Sequence, residues 1–156
     1  SVRIIGGQGE RILPLSAFYN EDGMHYLALK PGEVLVEVIL PQPSPHLRAV
    51  HRKIRQRESI DFPLANVGIA LTSASNGVCQ DVRIVLGAVA SAPFRATAAE
   101  TVLEANTLTD EHIEQAAAEA ASCITPLQNI GSTVVYRKRM VKVLVKRALT
   151  ELVHAS

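Results

Sequence analysis

The chain has 156 residues, the length of one ordinary domain, which excludes a large multidomain enzyme. Hydrophobic residues make up 47% and charged residues 20%, a globular balance that supplies enough apolar side chains for a core and excludes global disorder. Sixteen Lys and Arg against fifteen Asp and Glu give a formal net charge of +1, so no strong field gathers nucleic acid or anionic lipid, and three Tyr, three Phe and no Trp are too few for a base-stacking platform.

Residues Ser1 to Pro14 read as a hairpin, with Val2, Ile4 and Ile5 on one arm, Gly6-Gly7-Gln8-Gly9 as the turn and Arg11-Ile12-Leu13 on the other. The glycines lead into a strand rather than a helix, so they present no helix N-terminus to a phosphate. Lys30-Pro31-Gly32-Glu33 is a turn, and Val34 to Leu40 alternates as a strand. Pro41, Pro43 and Pro45 then place a boundary within residues 41 to 46.

From Leu47 to Arg55 a strand sets Val50, Arg52 and Ile54 against a basic side of Ala49, His51, Lys53 and Arg55. A polar connection to Pro63 follows, then an apolar strand from Leu64 to Thr72, a turn over Ser73 to Gly77, and a long return strand from Val78 to Val89. After Ser91-Ala92-Pro93 the period lengthens. Thr97 and Glu100 form a capping box, and a second helix opens on Asp110 and Glu111. It carries Ile113, Ala116, Ala117, Ala120, Ala121 and Ile124 in a small-residue stripe and ends at Pro126. A third runs from Thr133 to Val153 with Ser132 as its cap, burying Val141, Leu144, Val145, Ala148 and Leu152 and exposing a row of Lys138, Lys142 and Lys146. Strands followed by helices, without alternation, predict an α+β fold: an antiparallel sheet with three C-terminal helices packed on one face.

Five histidines and two cysteines show no metal-ligand spacing, and no nucleophile elbow is present, so no metal ligand and no catalytic acid, base or nucleophile is expected. Cys79 and Cys123 read as buried free thiols of a reducing, cytoplasmic compartment. No run nears the ~20 apolar residues of a membrane span.

Three segments taken together carry a resemblance: Leu29-Lys30-Pro31-Gly32-Glu33-Val34-Leu35, His51 through Leu64, and Val82 through Ala96, with Tyr136 through Leu149 as a last helix. In this order they resemble the FAD-binding (medium, flavoprotein) subunit of the molybdenum hydroxylases, the family of carbon monoxide dehydrogenase and xanthine dehydrogenase. The resemblance implies that residues 1–45 are the C-terminal end of the FAD-binding domain and residues 46–156 a CO dehydrogenase flavoprotein C-terminal-like domain. The Gly-rich loops that hold most of the FAD would precede Ser1, so the fragment alone would be inactive. Leu35 matches a leucine packed against the flavin and Lys53 a lysine that reaches it. Asp61 and Phe62 match the end of the loop beside the ring. The chain would then belong to an oxidoreductase component that relays electrons between iron–sulfur centres and an external acceptor. Molybdopterin and two-iron–two-sulfur clusters would lie on partner subunits, with no nucleic acid bound. The alternative is a non-catalytic subunit-interaction or assembly domain.

Overall fold

Two units divide the chain, Ser1–Pro43 and Ser44–Ser156, and the computed structural model describes residues 1–58, 60–126 and 131–154. In the first unit, β1 (Val2–Gly6) and β2 (Gly9–Leu13) form the hairpin expected from the glycine run, and Gly9, at φ +111°, occupies backbone space that a side chain disfavours. β3 (Val34–Val38) pairs with the other side of β1, giving the order β2-β1-β3. A Pro31-Gly32 turn delivers it: Gly32 sits at φ +80° and Glu33 N–H donates to Lys30 O at 3.0 Å, as a turn with Pro then Gly at its centre requires. Val2, Ile4 and Phe18 are the core of this unit, and Arg11 forks onto Glu33 through Nε at 2.9 Å and Nη2 at 2.7 Å. That fork, with the Lys30 N–H, holds the Glu33 carboxyl down at about 2. The stretch between β2 and β3, which has no hydrophobic period, folds as a 3-10 turn at Leu15–Ala17 and a single bridge between Tyr19 and Leu27.

The second unit is the predicted α+β layer. β4 (Leu47–Ile54), β5 (Ala65–Ser73), β6 (Cys79–Gly87) and the short β7 (Phe94–Arg95) form one antiparallel sheet in chain order. Strict alternation on β5 puts Ala65, Val67, Ile69 and Leu71 on the inner face, opposite Val82, Ile84 and Leu86 of the neighbouring strand set. Helices α1 (Thr97–Leu103), α2 (Asp110–Ser122) and α3 (Val134–His154) cover that face, with Leu103, Ile113, Val141, Val145 and Leu149 in the shared core. The alanines of α2 (Ala116, Ala117, Ala120) are fully buried, the small-residue stripe having let its neighbours close in.

Local expectations are corrected in four places. Thr97 is not the cap of α1; Ala96 is, and Glu100 turns away to the sheet, where its carboxylate accepts from Ile84 N–H at 2.9 Å and Arg95 Nε at 2.8 Å. The cap of α3 is Thr133 rather than Ser132, its Oγ1 accepting from Tyr136 N–H at 3.2 Å. α2 stops at Ser122, short of Pro126, where the Ser122 hydroxyl bonds back to Glu119 O at 2.9 Å, and Ile124 is buried outside the helix. Cys79 is a buried free thiol as expected, but Cys123 is only partly buried, and burial raises the pKa of both.

The lysine row of α3 is also more than a solvated face, because Lys142 and Lys146 both close on Glu114 of α2, Lys146 at 2.9 Å. The two ammonium groups hold the Glu114 carboxyl at about 2. A carboxyl depressed in the folded state adds stability above its unfolded pKa and loses it as pH falls through the folded value. Acid titration from about pH 5 to about pH 2 is therefore expected to lower the melting temperature of Glu114→Gln less than that of the wild type. Parallel curves would remove the bridge from the acid sensitivity. No helix of the described residues is long and apolar enough to cross a membrane.

Candidate functional site

The antiparallel register sorts the basic residues of β4 into two groups. Arg48 and Arg52 lie opposite the buried Leu71 and Val67 and face the helices. Arg48 Nη1 donates to Leu152 O at 2.6 Å and Nη2 to Ser73 Oγ at 2.8 Å, capping the carbonyl end of α3, and Arg52 pairs with Glu151. These two guanidinium groups are consumed in tying the strand to the last helix. His51 and Lys53, in the opposite phase, project from the outer face.

Lys53 pairs across the sheet with Asn66, and Asn66 with Gly87, so the three form one row on that face. The ammonium of Lys53 is exposed and makes no hydrogen bond or ion pair among the described residues. The next row is His51, Gly68 and Val85, and the one below it Ala49, Ala70 and Arg83. Small side chains at Ala49, Gly68 and Ala70 leave a shallow, largely apolar depression of about 540 Å³ bounded by His51, Arg83 and Val85.

One residue beyond Lys53 the chain leaves the sheet for the loop that links β4 to β5. Leu64 N–H donates to Ile54 O at 2.8 Å, which closes the loop at its base and returns Phe62 and Pro63 to the Lys53 end of the sheet. Gln56 Nε2 donates to Gly131 O at 2.9 Å and ties the outgoing limb to the segment before α3. Within the loop Asp61 accepts from Arg57 Nε at 3.2 Å and from Phe62 N–H at 3.0 Å. The Arg57 guanidinium holds the Asp61 carboxyl below the ordinary aspartate range. Ile60 and Phe62 of this loop are exposed to solvent, Phe62 to 90%. Burial gives no account of an apolar pair held there.

Of the residues singled out in the sequence, Lys53, Asp61 and Phe62 thus gather at one end of the β4–β5 hairpin. Leu35 lies on β3 of the first unit, partly buried and packed against its core. Asn66 escaped sequence reading because the Leu64 to Thr72 segment reads as an apolar strand. The available signal was its being the one amide in that run, and only the register shows that it faces Lys53. The chemistry on offer is a free cation, a neutral amide and an exposed aromatic ring beside a flat sheet surface. A cation, an amide and an aromatic face together can attract electron-rich oxygens and stack a flat ring. Among the described residues no cluster of His, Cys, Asp and Glu is arranged to hold a metal ion.

Comparison with known proteins agrees with this architecture. Residues 50–152 match the CO dehydrogenase flavoprotein C-terminal domain family. The chain is 28% identical over 148 residues to the 6-hydroxypseudooxynicotine dehydrogenase complex subunit alpha of Paenarthrobacter nicotinovorans, covering 94% of this chain and 49% of that protein. It is 28% identical over 146 residues to the carbon monoxide dehydrogenase medium chain of Afipia carboxidovorans, covering 94% and 49%. Among solved structures, a carbon monoxide dehydrogenase from Hydrogenophaga pseudoflava that lacks the Mo-pyranopterin moiety of its cofactor superposes with a TM-score of 0.85 at 28% identity, covering 96% of this chain and 50% of that one. Quinoline 2-oxidoreductase from Pseudomonas putida 86 gives a TM-score of 0.83 at 26% identity, covering 96% and 50%. The chain spans about half the length of the curated relatives it matches. It belongs to the CO dehydrogenase flavoprotein C-terminal domain family, found in the medium, flavoprotein subunits of the molybdenum hydroxylases.

Proposed function

We infer that this chain is part of the FAD-containing electron-transfer subunit of a molybdenum hydroxylase, an oxidoreductase component that relays electrons between iron–sulfur centres and an external acceptor. Molybdopterin and the clusters belong to partner subunits in this reading, and most of the FAD is held by a part of the subunit other than this chain. The observation that carries it is the uncommitted Lys53 ammonium, left on the outer face while Arg48 and Arg52 of the same strand are spent on α3. When bound, FAD supplies a ring that takes up electrons and passes them on, and its reduced form carries negative charge at the pyrimidine side.

Lys53 would hold the pyrimidine side of that ring, its positive charge favouring the reduced form. Phe62 offers a face for the ring to stack on, and the Arg57–Asp61 turn fixes the backbone that presents it. The alternative, a domain that only holds subunits together, draws on the exposed valines at positions 34, 36 and 38 of β3, an edge strand of its sheet.

The visible spectrum of the intact complex separates the two readings. Flavin bands are expected in the purified complex, and Lys53→Met is expected to move or broaden them at unchanged subunit stoichiometry. Flavin bands identical in wild type and variant would favour the assembly reading.

A further inference from the structure

The side chain next to Lys53 is as unusual as the lysine. Asn66 is the central member of the row Lys53–Asn66–Gly87, and its carboxamide, half-buried, makes no hydrogen bond among the described residues. It does not stand off the sheet but lies across Gly87. A methyl group at residue 87 would fall 2.8 Å from Nδ2 and 2.9 Å from Cγ of Asn66, and closer still to Oδ1. Glycine at 87 therefore leaves the space that the amide occupies, since any side chain there would push it away. Both amide atoms remain open to solvent, so water meets them in the free protein, and a ligand that displaces this water has to offer the same donor and acceptor in return.

The geometry points to Asn66 as a second polar contact of the bound flavin, reading the imide edge of the pyrimidine ring beside the carbonyl that Lys53 attracts. This rests on the flavin reading of Lys53. The imide edge presents a carbonyl, the N3–H and a second carbonyl in sequence. One carboxamide complements two neighbouring members of that set, accepting from N3–H through its oxygen and donating to a carbonyl through its nitrogen. Lys53 and Asn66 stand on neighbouring strands of one sheet face, with the amide on the Gly87 side of the row, so the two would address separate atoms along one ring edge. Lys53 responds to the charge of the ring, whereas Asn66 responds to the identity of its edge and would fix the ring's orientation.

The test uses the full complex stripped of flavin and reloaded with FAD or with 3-methyl-FAD, in which a methyl group replaces the N3 hydrogen. Wild type is expected to bind FAD about tenfold more tightly than the analogue, the value of one neutral hydrogen bond. Asn66→Ala and the near-isosteric Asn66→Leu are both expected to bind the two flavins within about twofold of each other. Gly87→Ala is expected to lose the preference as well although Asn66 is still present, and Lys53→Met to keep it. Full preference for FAD in Asn66→Leu would overturn the inference, showing that the methyl group is rejected by shape alone. An unchanged preference in Asn66→Ala alongside a shifted flavin potential in Lys53→Met would overturn it while leaving the flavin reading intact. If neither variant differs from wild type, the flavin reading itself fails.

Discussion

Glu100→Leu is expected to destabilise the second unit by about 2–3 kcal/mol, the largest loss among substitutions away from the apolar core. Glu100 is only 7% exposed, and its carboxylate is the partner of the Ile84 backbone N–H on β6 and of Arg95 on β7. Leucine fills the space but leaves the Ile84 N–H buried without an acceptor, and the Arg95 guanidinium without its anion. The half-exposed position of Arg95 moderates the second effect. Glu104, one turn on, does similar work at a neighbouring irregularity, accepting from Asp81 N–H at 3.0 Å and Val82 N–H at 2.9 Å. The β5–β6 register shifts there, and Asp81 has a φ of 51°. One face of α1 thus supplies acceptors to β6. Urea unfolding is the measurement: the midpoint should fall at an unchanged slope, and Glu100→Gln, which keeps an acceptor for Ile84, should lose less than half as much. A Glu100→Leu midpoint equal to wild type would mean that another group or water takes over the Ile84 N–H.

Thr97-Ala98-Ala99-Glu100 has the letters of a capping box, but a capping glutamate must fold back on its own helix, and here the unpaired N–H of a strand sixteen residues earlier competes successfully for it. Elements with a strong period were legible: β5, β6, α2 and α3 follow from alternation or a four-residue repeat, because each buries one face against one layer. β7 was missed, since two residues after a proline carry no period, and their pairing with β6 is set by the sheet. In the candidate site, Lys53 stood out only through the likeness of its surrounding segment to a known family. By spacing alone it was one of several basic residues on a strand. What singles it out physically is a set of contacts about a hundred residues apart in sequence, from Arg48 and Arg52 to the last turn of α3, which no local pattern encodes. Asn66 and Gly87 depend likewise on a three-strand register.

The flavin potential of Lys53→Met in the full-length subunit tests the central claim most directly. An ammonium beside the pyrimidine edge favours the reduced, anionic ring, so its removal should lower the midpoint potential, by an amount on the order of tens of millivolts. Delivery of electrons to the external acceptor should slow. Substrate oxidation measured with a dye that draws electrons before the flavin should persist if, as proposed, the chemistry on the substrate belongs to a partner subunit. Lys142→Met is the control of equal charge change. It gives up part of the bridge to Glu114 and so tests stability, but it lies on α3, behind the inner face of the sheet, and should leave the potential unchanged. A lowered potential in Lys53→Met with an unchanged one in Lys142→Met is the expected result. Equal potentials in wild type and Lys53→Met, at equal FAD content, would contradict it and return Lys53 to the role of a solvated strand residue.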